Sequence, residues 1–198
     1  MNKNDNNLKE IYERIKADSF NASYTASGYN PVYTASSKAK ILLVGQAPGK
    51  KAQETEITWN DKSGDNLRSW LGVSRAEFYD PDLFALVPMD FYYPGKGNSG
   101  DLPPRRGFAE KWHPEIIANL EKLELIVLIG SYATKYYLKE KAEKNLTLTI
   151  KNYLAYLPEY FPLVHPSPLN FRWQNKNPWF LEEVVPELKK VIAKILKK

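Results

Sequence analysis

The apolar residues of this chain follow two patterns, short continuous runs and helical spacing. Four short runs are apolar almost throughout, which is typical of strands buried on both faces of a sheet. Between them, apolar residues recur three and four positions apart, which predicts amphipathic helices. The predicted strands are 41–44, 83–89, 125–129 and 160–164. The predicted helices are 8–17, 63–71 with Ser63 or Asp65 as its cap, 114–123, 132–138 and a last segment that begins at Asn177 and Pro178 and that Pro186 should kink or divide.

The alternation of strands with helices predicts the class of fold. Strands that are apolar throughout favour a mostly parallel sheet with helices on both faces. We therefore predict a three-layer α/β/α fold around a central, mostly parallel sheet of four strands. The 198 residues suit a single domain, in which 1–37 form an N-terminal helix and an irregular surface segment. In such folds, ligands bind where loops leave the carboxyl ends of the strands.

Composition narrows the possible functions. The absence of cysteine excludes a disulfide scaffold, a cysteine-ligated metal site and a cysteine nucleophile. No run approaches the roughly 18 apolar residues of a membrane span, so we expect a cytoplasmic monomer that needs no metal or cofactor and does not contact membranes. The net charge of +5 is compatible with a nucleic-acid partner without requiring one. Several of the 26 aromatic residues (5 Trp, 13 Tyr and 8 Phe) lie in polar loops, where rings often stack on flat ligands.

Two of the predicted loops at strand ends carry motifs. The first is VGQAPG at 44–49, followed by the aromatic residue Trp59 and then by SGDNLRSWLG. The second is HPSPLN at 165–170. Each motif alone is a weak signal, but both lie at strand ends of an α/β pattern and in the right order. Together they resemble the motifs of the uracil-DNA glycosylase superfamily over about 41–180.

The resemblance implies an enzyme that hydrolyses the N-glycosidic bond of uracil, or of another deaminated base, in DNA. Such an enzyme rotates the nucleotide out of the base stack at a cost of a few kcal/mol, and a flat ring such as Trp59 recovers roughly 1–3 kcal/mol by stacking. By the same resemblance, His165 donates a hydrogen bond to the departing base. The backbone amide of Gln46 would hold the O2 edge of the base, beside Ala47.

The resemblance also implies which residues contact DNA. Ser167 resembles a serine that contacts a phosphate. Leu169 resembles a leucine that fills the gap left by the flipped nucleotide, a use of apolar side chains also seen in proteins that bend DNA. Basic residues near the two loops are candidates for phosphate contacts, and they are Lys50, Lys51, Arg172 and Lys176. His113 lies away from both motifs, and we expect it to be structural.

The sequence departs from the family pattern at the position that orients the attacking water. Other branches have Asp or Asn at the third position of the G-x-x-P motif, where this chain has Ala47. Of the nearby acids Glu54, Glu56, Asp61 and Asp90, we choose Glu54 for this role, and an exposed glutamate without a role is an equal alternative. The Ala-bearing branch with the loop GEAPG usually holds an iron–sulfur cluster with cysteines. This chain would therefore be a cluster-free relative.

A second departure concerns recognition of the base. The family usually reads uracil with an Asn at the end of the second strand, where this chain has Asp90. A carboxylate accepts from uracil N3–H but cannot donate to O4, so Asn60 or Asn98 would have to supply that donor. Two alternatives remain open. One is a catalytically weak or inactive DNA- or nucleotide-binding protein of the same fold. The other, less favoured because the full P-loop pattern is absent, is a phosphate binder that uses GQAPGK at a helix start.

Overall fold

The computed structural model describes residues 2–98 and 100–197. Its centre is a sheet of four parallel strands in the order β2, β1, β5, β6. These strands are β1 Ile41–Val44, β2 Phe84–Leu86, β5 Leu125–Ile129 and β6 Tyr160–Leu163. A separate antiparallel hairpin consists of β3 Lys96–Gly97 and β4 Gly100–Asp101. The predicted parallel four-stranded sheet is confirmed.

Helices cover both faces of the sheet. In the described part of the chain they are α1 Lys3–Ala17, α2 Ala22–Ala26, α3 Lys50–Thr55, α4 Lys62–Leu71, α5 Arg75–Phe78, α6 Phe108–Ile117, α7 Ser131–Leu138, α8 Leu146–Lys151, α9 Phe171–Lys176 and α10 Val185–Leu196. Within the described ranges, no helix is both long and apolar enough to cross a membrane. Alternate strand residues point to opposite faces. Leu42 therefore packs with α1, α6 and α7, whereas Leu43 packs with α4 and α10, which makes three layers as predicted.

The chain after β2 stays beside the loop that follows β1. β2 is shorter than the predicted strand 83–89, but main-chain hydrogen bonds continue beyond its end. The N–H groups of Val87, Met89 and Asp90 donate to the carbonyls of Leu43, Gly45 and Gln46 at 3.0, 2.8 and 3.2 Å. This pairing holds the first motif loop against the end of the second strand.

α4 and α6 begin elsewhere than the sequence predicts, and α1 begins at Lys3, five residues before its predicted start at Leu8. α4 is capped by Asp61, whose side chain accepts from Gly64 N–H, and not by Ser63 or Asp65. It ends at Leu71 and is capped by Gly72, whose left-handed φ of 70° glycine adopts without strain. α6 covers Phe108–Ile117 and not 114–123. Pro114, the predicted first residue, lies inside the helix.

The N-terminal segment is more ordered than its polar sequence suggests. The stretch 18–37, predicted to be irregular surface, contains a 3₁₀ turn at Ser19–Asn21 and then α2, and Val32 is buried. Asn21 explains part of this order, because its side-chain Nδ2 donates to the carbonyl of Ile15 at 2.7 Å. At the other end of the chain, Pro186 lies in the first turn of α10, after a π-helical segment, so the last helix is divided there as predicted.

His113 of α6 is buried and fully hydrogen-bonded. Its Nε2 lies 2.9 Å from the carbonyl oxygen of Pro88, and its Nδ1 lies 2.6 Å from the hydroxyl of Tyr137. Because a carbonyl only accepts, Nε2 carries the proton and Nδ1 accepts from the hydroxyl. Burial lowers the pKa of His113 to about 4. This neutral imidazole supports the chain after β2, which agrees with the expected structural role.

We expect the free energy of unfolding to decrease when the pH is lowered from 7 to 5. The unfolded histidine has an ordinary pKa of 6.5 and the folded one of about 4, so the unfolded state binds more protons in this window. Stability is then lost by at most about 1.4 kcal/mol per pH unit. Urea denaturation at several pH values measures the loss. In a His165→Asn variant, which retains His113 as its one histidine, a flat profile between pH 7 and pH 5 would contradict this expectation.

Candidate active site

The carboxyl ends of the parallel strands open into a cavity of about 670 Å³. Its walls come from the loop after β1, the segment before α4, the β3–β4 hairpin and the loop after β6. The volume is that of a site for a small molecule or a single base. Nine of the predicted site residues line it, namely Gln46, Ala47, Lys50, Lys51, Trp59, Asn60, His165, Ser167 and Leu169. The parallel sheet thus brings both motif loops to one place.

The loop after β1 contributes Gln46 and Ala47 to the cavity wall. The side chain of Gln46 is engaged elsewhere, since its Nε2 donates to the carbonyl of Leu102 at 2.8 Å. The backbone N–H groups of Gln46 and Ala47 donate to no acceptor in the described ranges. Two donors of this kind at the end of a buried strand suit a carbonyl oxygen or an anion.

Trp59 lies across the end of β1. Its backbone is left-handed, with φ of 55°, and its carbonyl accepts from the Tyr79 hydroxyl at 3.2 Å. A Cβ atom on Gly45 would lie 2.7 Å from the indole, and one on Gly64 would lie 1.8 Å from the Trp59 carbonyl oxygen. Both glycines are therefore needed for this placement. The indole centroid is 5.7 Å from the ring of His165, so the two rings border the same space.

The loop that carries His165 is held by hydrogen bonds from two sides. The side chain of Asn170 donates to the His165 carbonyl at 2.7 Å, and Asn66 of α4 donates to the Pro166 carbonyl at 2.9 Å. The backbone N–H of Ser167 donates to His165 Nδ1 at 3.2 Å. A ring whose Nδ1 accepts carries its proton on Nε2 when it is neutral.

The protonation state of His165 follows from its surroundings. Burial lowers its pKa, while the negative charges of Asp61 and Asp101 oppose that shift without reversing it. The imidazole is therefore neutral at pH 7, with Nε2–H as a donor. The site thus holds a neutral hydrogen-bond donor whose tautomer is set by the loop backbone.

Leu169 is exposed at the rim of the cavity. It belongs to a 3₁₀ turn at Pro168–Asn170, and its N–H donates to the Ser167 hydroxyl at 3.2 Å. Its side chain is 85% exposed. Arg172 and Lys176 follow on α9, outside the cavity wall, and both are exposed. The rim therefore combines an apolar tip with nearby positive charge.

Glu54 and Asp90, predicted to orient water and to read the base, are not brought to the cavity. Glu54 is an exposed residue of α3 whose carboxylate lies 3.8 Å from the Lys50 ammonium. Asp90 is fully buried, and both its oxygens are bonded to Arg105 at 2.7 and 2.8 Å. Asn98, the alternative donor to the base, is an exposed residue in the turn of the β3–β4 hairpin. The carboxylate predicted to read the base is thus engaged by an arginine of the same chain.

The cavity also contains polar residues that the sequence analysis did not select. Asp61, only one of several nearby acids in the sequence, lines it, and so does Asp101 of β4. Asp101 belongs to the loop between β2 and α6, and its place at a strand end is the signal that could have identified it. A second cavity of about 460 Å³ adjoins the first and shares Gln46, His165 and Asn170 with it. Within the described ranges, no group of three or more acids or histidines could hold a metal ion.

Comparison with known proteins places the chain in a family. A family model described as the uracil DNA glycosylase superfamily matches residues 31–189, a range that includes both motif loops and every residue of the cavity wall. A solution NMR structure of a protein from Methanosarcina acetivorans, named as a proposed uracil DNA glycosylase, is also similar. It shares 15% sequence identity, with a TM-score of 0.48, and the match covers 83% of this chain and 95% of that chain. On the family match, which spans most of its length, the chain belongs to the uracil DNA glycosylase superfamily.

Proposed function

We propose that this protein is a DNA glycosylase that hydrolyses the N-glycosidic bond of uracil, or of another deaminated base, flipped out of DNA, and thereby initiates base excision repair. The observation that carries the proposal is a single cavity that unites a free pair of backbone amides, the ring of Trp59 and the neutral imidazole of His165. An exposed leucine stands at its rim. Each of these groups suits one step of the reaction.

The flipped base would stack on Trp59, with its O2 edge at the amides of Gln46 and Ala47. As the bond to the sugar stretches, negative charge develops on the base, and His165 Nε2–H donates to the oxygen that receives it. The hydrogen bonds from Ser167 and Asn170 hold the imidazole in place beforehand, so the donor needs little reorganisation during the reaction.

Recognition of the base would depend on Asn60. Its Oδ1 lies 3.4 Å from Arg75 Nη2, an arrangement that orients the amide and leaves its NH₂ group as a donor. Such a group suits the O4 oxygen of uracil, which a carboxylate cannot satisfy. Ser167, Lys50, Arg172 and Lys176 would contact phosphates, because each is polar or basic and lies on the cavity wall or on the adjoining α9.

The activity is tested with labelled oligonucleotides that contain a single uracil, hypoxanthine or xanthine. After incubation with the protein, alkali cleaves the strand wherever a base has been released. We expect cleavage at uracil and none in the unmodified control. Binding to these oligonucleotides without cleavage would instead support a catalytically inactive DNA-binding protein, the alternative that Ala47 suggests.

Substitution of Trp59 tests the stacking role. Trp59→Ala should weaken productive binding by roughly 1–3 kcal/mol, the value of stacking one base on an aromatic ring, and Trp59→Phe should retain much of it. The measurement is the substrate dependence of the single-turnover rate. If Trp59→Ala unfolds while its folded fraction retains full activity, the indole is a core residue and not a stacking surface.

Substitution of Leu169 tests whether its side chain, at the rim of the cavity, fills the gap left by a flipped nucleotide. A side chain that fills the gap left by a flipped nucleotide matters mainly for duplex DNA, since a base in single-stranded DNA is already largely free. Leu169→Ala should therefore reduce release of paired uracil several-fold more than release of unpaired uracil, with mismatched uracil between them. Leu154→Ala, which removes another exposed leucine, is the matched control. An equal loss on both substrates would indicate a packing defect in the loop.

A further inference from the structure

Two carboxylates line the cavity that contains His165, those of Asp61 and Asp101. Hydrolysis requires a group that orients water and takes its proton, and the methyl group of Ala47 cannot do this. Glu54, Glu56 and Asp90 do not line the cavity, and they are engaged by Lys50, Asn30 and Arg105 respectively. The acid that acts on water therefore has to come from the pair that faces the site.

We propose that Asp61 is the carboxylate that orients the attacking water and stabilises positive charge on the sugar, an inference that rests on the proposed function. Asp61 caps α4, and only one of its oxygens is used, since Oδ1 accepts from Gly64 N–H at 2.9 Å. Its Oδ2 has no hydrogen-bond partner in the described part of the chain. The cap fixes the carboxylate while one oxygen stays available to water.

The support of Asp61 is rigid. α4 packs into the core through Leu67 and Leu71, which are almost completely buried, and its Asn66 also holds the His165 loop. The same helix therefore positions the carboxylate and the imidazole relative to each other. Asp101, by contrast, lies in the two-residue strand β4 and meets only the Tyr93 hydroxyl, at 3.4 Å, in the described ranges.

The position of Asp61 also suits the geometry of the reaction. It lies two residues after Trp59, on which the base would stack. Like Asp101, it lines the same cavity as His165, and its negative charge opposes the lowering of the His165 pKa by burial. A negative charge close to both rings is well placed to face the sugar of a stacked nucleotide.

The proposed step balances as follows. The C1′–N bond breaks, and its electron pair leaves on the base, which His165 stabilises by a hydrogen bond. The oxygen of water forms the new C1′–O bond, and the proton that water loses passes to the Asp61 carboxylate. The base anion takes a proton from solvent, and Asp61 returns its proton to solvent. Water and the nucleotide are the only reactants.

The variant Asp61→Asn separates the catalytic effect of the charge from the structural effect of the helix cap. Asparagine caps helices as well as aspartate does, so the fold should be preserved while the charge is lost. We expect the single-turnover rate on uracil DNA to fall on the order of 100-fold, the lower part of the range for general-base catalysis. Thermal unfolding and binding to DNA that contains 2′-fluoro-deoxyuridine, whose glycosidic bond resists hydrolysis, should change little. Asp101→Asn removes the same charge from the same cavity and should lower the rate less than Asp61→Asn does.

Wild type and His165→Ala are measured in the same assay to separate the two proposals. If wild type releases uracil, His165→Ala does not, and Asp61→Asn equals wild type, the role of Asp61 is wrong while the proposed function stands. A larger loss in Asp101→Asn than in Asp61→Asn also overturns the role. If wild-type protein binds the DNA but releases no base, the proposed function fails, and the role of Asp61 fails with it.

Discussion

His165→Ala should lower the rate of base release by about 100- to 1000-fold, the usual effect of removing one preorganised donor from a developing anion. In the proposed reaction, the hydrogen bond from Nε2–H would strengthen as charge moves onto the base, so its loss should raise the barrier more than it weakens binding. The affinity for DNA should therefore change little. Single-turnover kinetics and an equilibrium binding assay on the same oligonucleotide measure the two effects separately.

Asn66→Ala is the matched control for His165→Ala. It removes the hydrogen bond to the Pro166 carbonyl but leaves the imidazole in place. If the loss of activity in His165→Ala came from increased mobility of the loop after β6, both variants would be similarly inactive. Activity of His165→Ala equal to that of wild type would remove the imidazole from the mechanism.

Arg105→Ala should destabilise the protein by about 3–5 kcal/mol, the usual cost of leaving a buried charge without its partner. Asp90 is completely buried, and Arg105 binds both its oxygens while also donating to Asn21 Oδ1 and the Phe20 carbonyl at 2.9 Å. The variant leaves the carboxylate without a counter-charge and removes two hydrogen bonds to the N-terminal segment. Urea denaturation at pH 7 gives the change in the free energy of unfolding.

The control for this prediction is an exposed ion pair. Lys38 and Asp82 lie 3.0 Å apart, with side chains 66% and 44% exposed, and Lys38→Ala should cost at most about 1 kcal/mol. The double variant Arg105→Met with Asp90→Asn should recover part of the loss, since no buried charge is left. If Arg105→Ala costs no more than Lys38→Ala, the buried pair does not stabilise the fold.

The pattern of apolar and polar residues predicted the features of the fold that are determined by residues close together in the sequence. Runs such as Ile41–Val44 indicate buried parallel strands because both of their faces must be apolar. Parallel strands place their carboxyl ends at one edge, so the two motif loops had to meet there. The approximate place of Gln46, Trp59 and His165 could be predicted for that reason.

Contacts between distant residues were not predictable in the same way. The local sequence predicts that a helix starts at Pro114, because proline is common in the first turn. The helix instead starts at Phe108, since Phe108 and Trp112 pack into the core. The polar stretch 18–37 carries no apolar periodicity, and hydrogen bonds to Asn21 from Arg105 help to order it. Periodicity does not encode such contacts, because they join side chains far apart in the chain.

The sequence by itself therefore determined the layered fold, the edge of the sheet at which the site lies and the two loops that form it, since these follow from the local succession of apolar and polar residues. Only the tertiary structure decided which of the several nearby carboxylates face the cavity. Asp90 is buried in an ion pair with Arg105, fifteen residues later in the chain, and Glu54 is paired with Lys50 on the surface. Asp61 lines the cavity, where its hydrogen bond to Gly64 N–H caps α4. A carboxylate has the same chemistry at every position in a sequence, and its role depends on its partners in space, which are fixed by packing between distant segments.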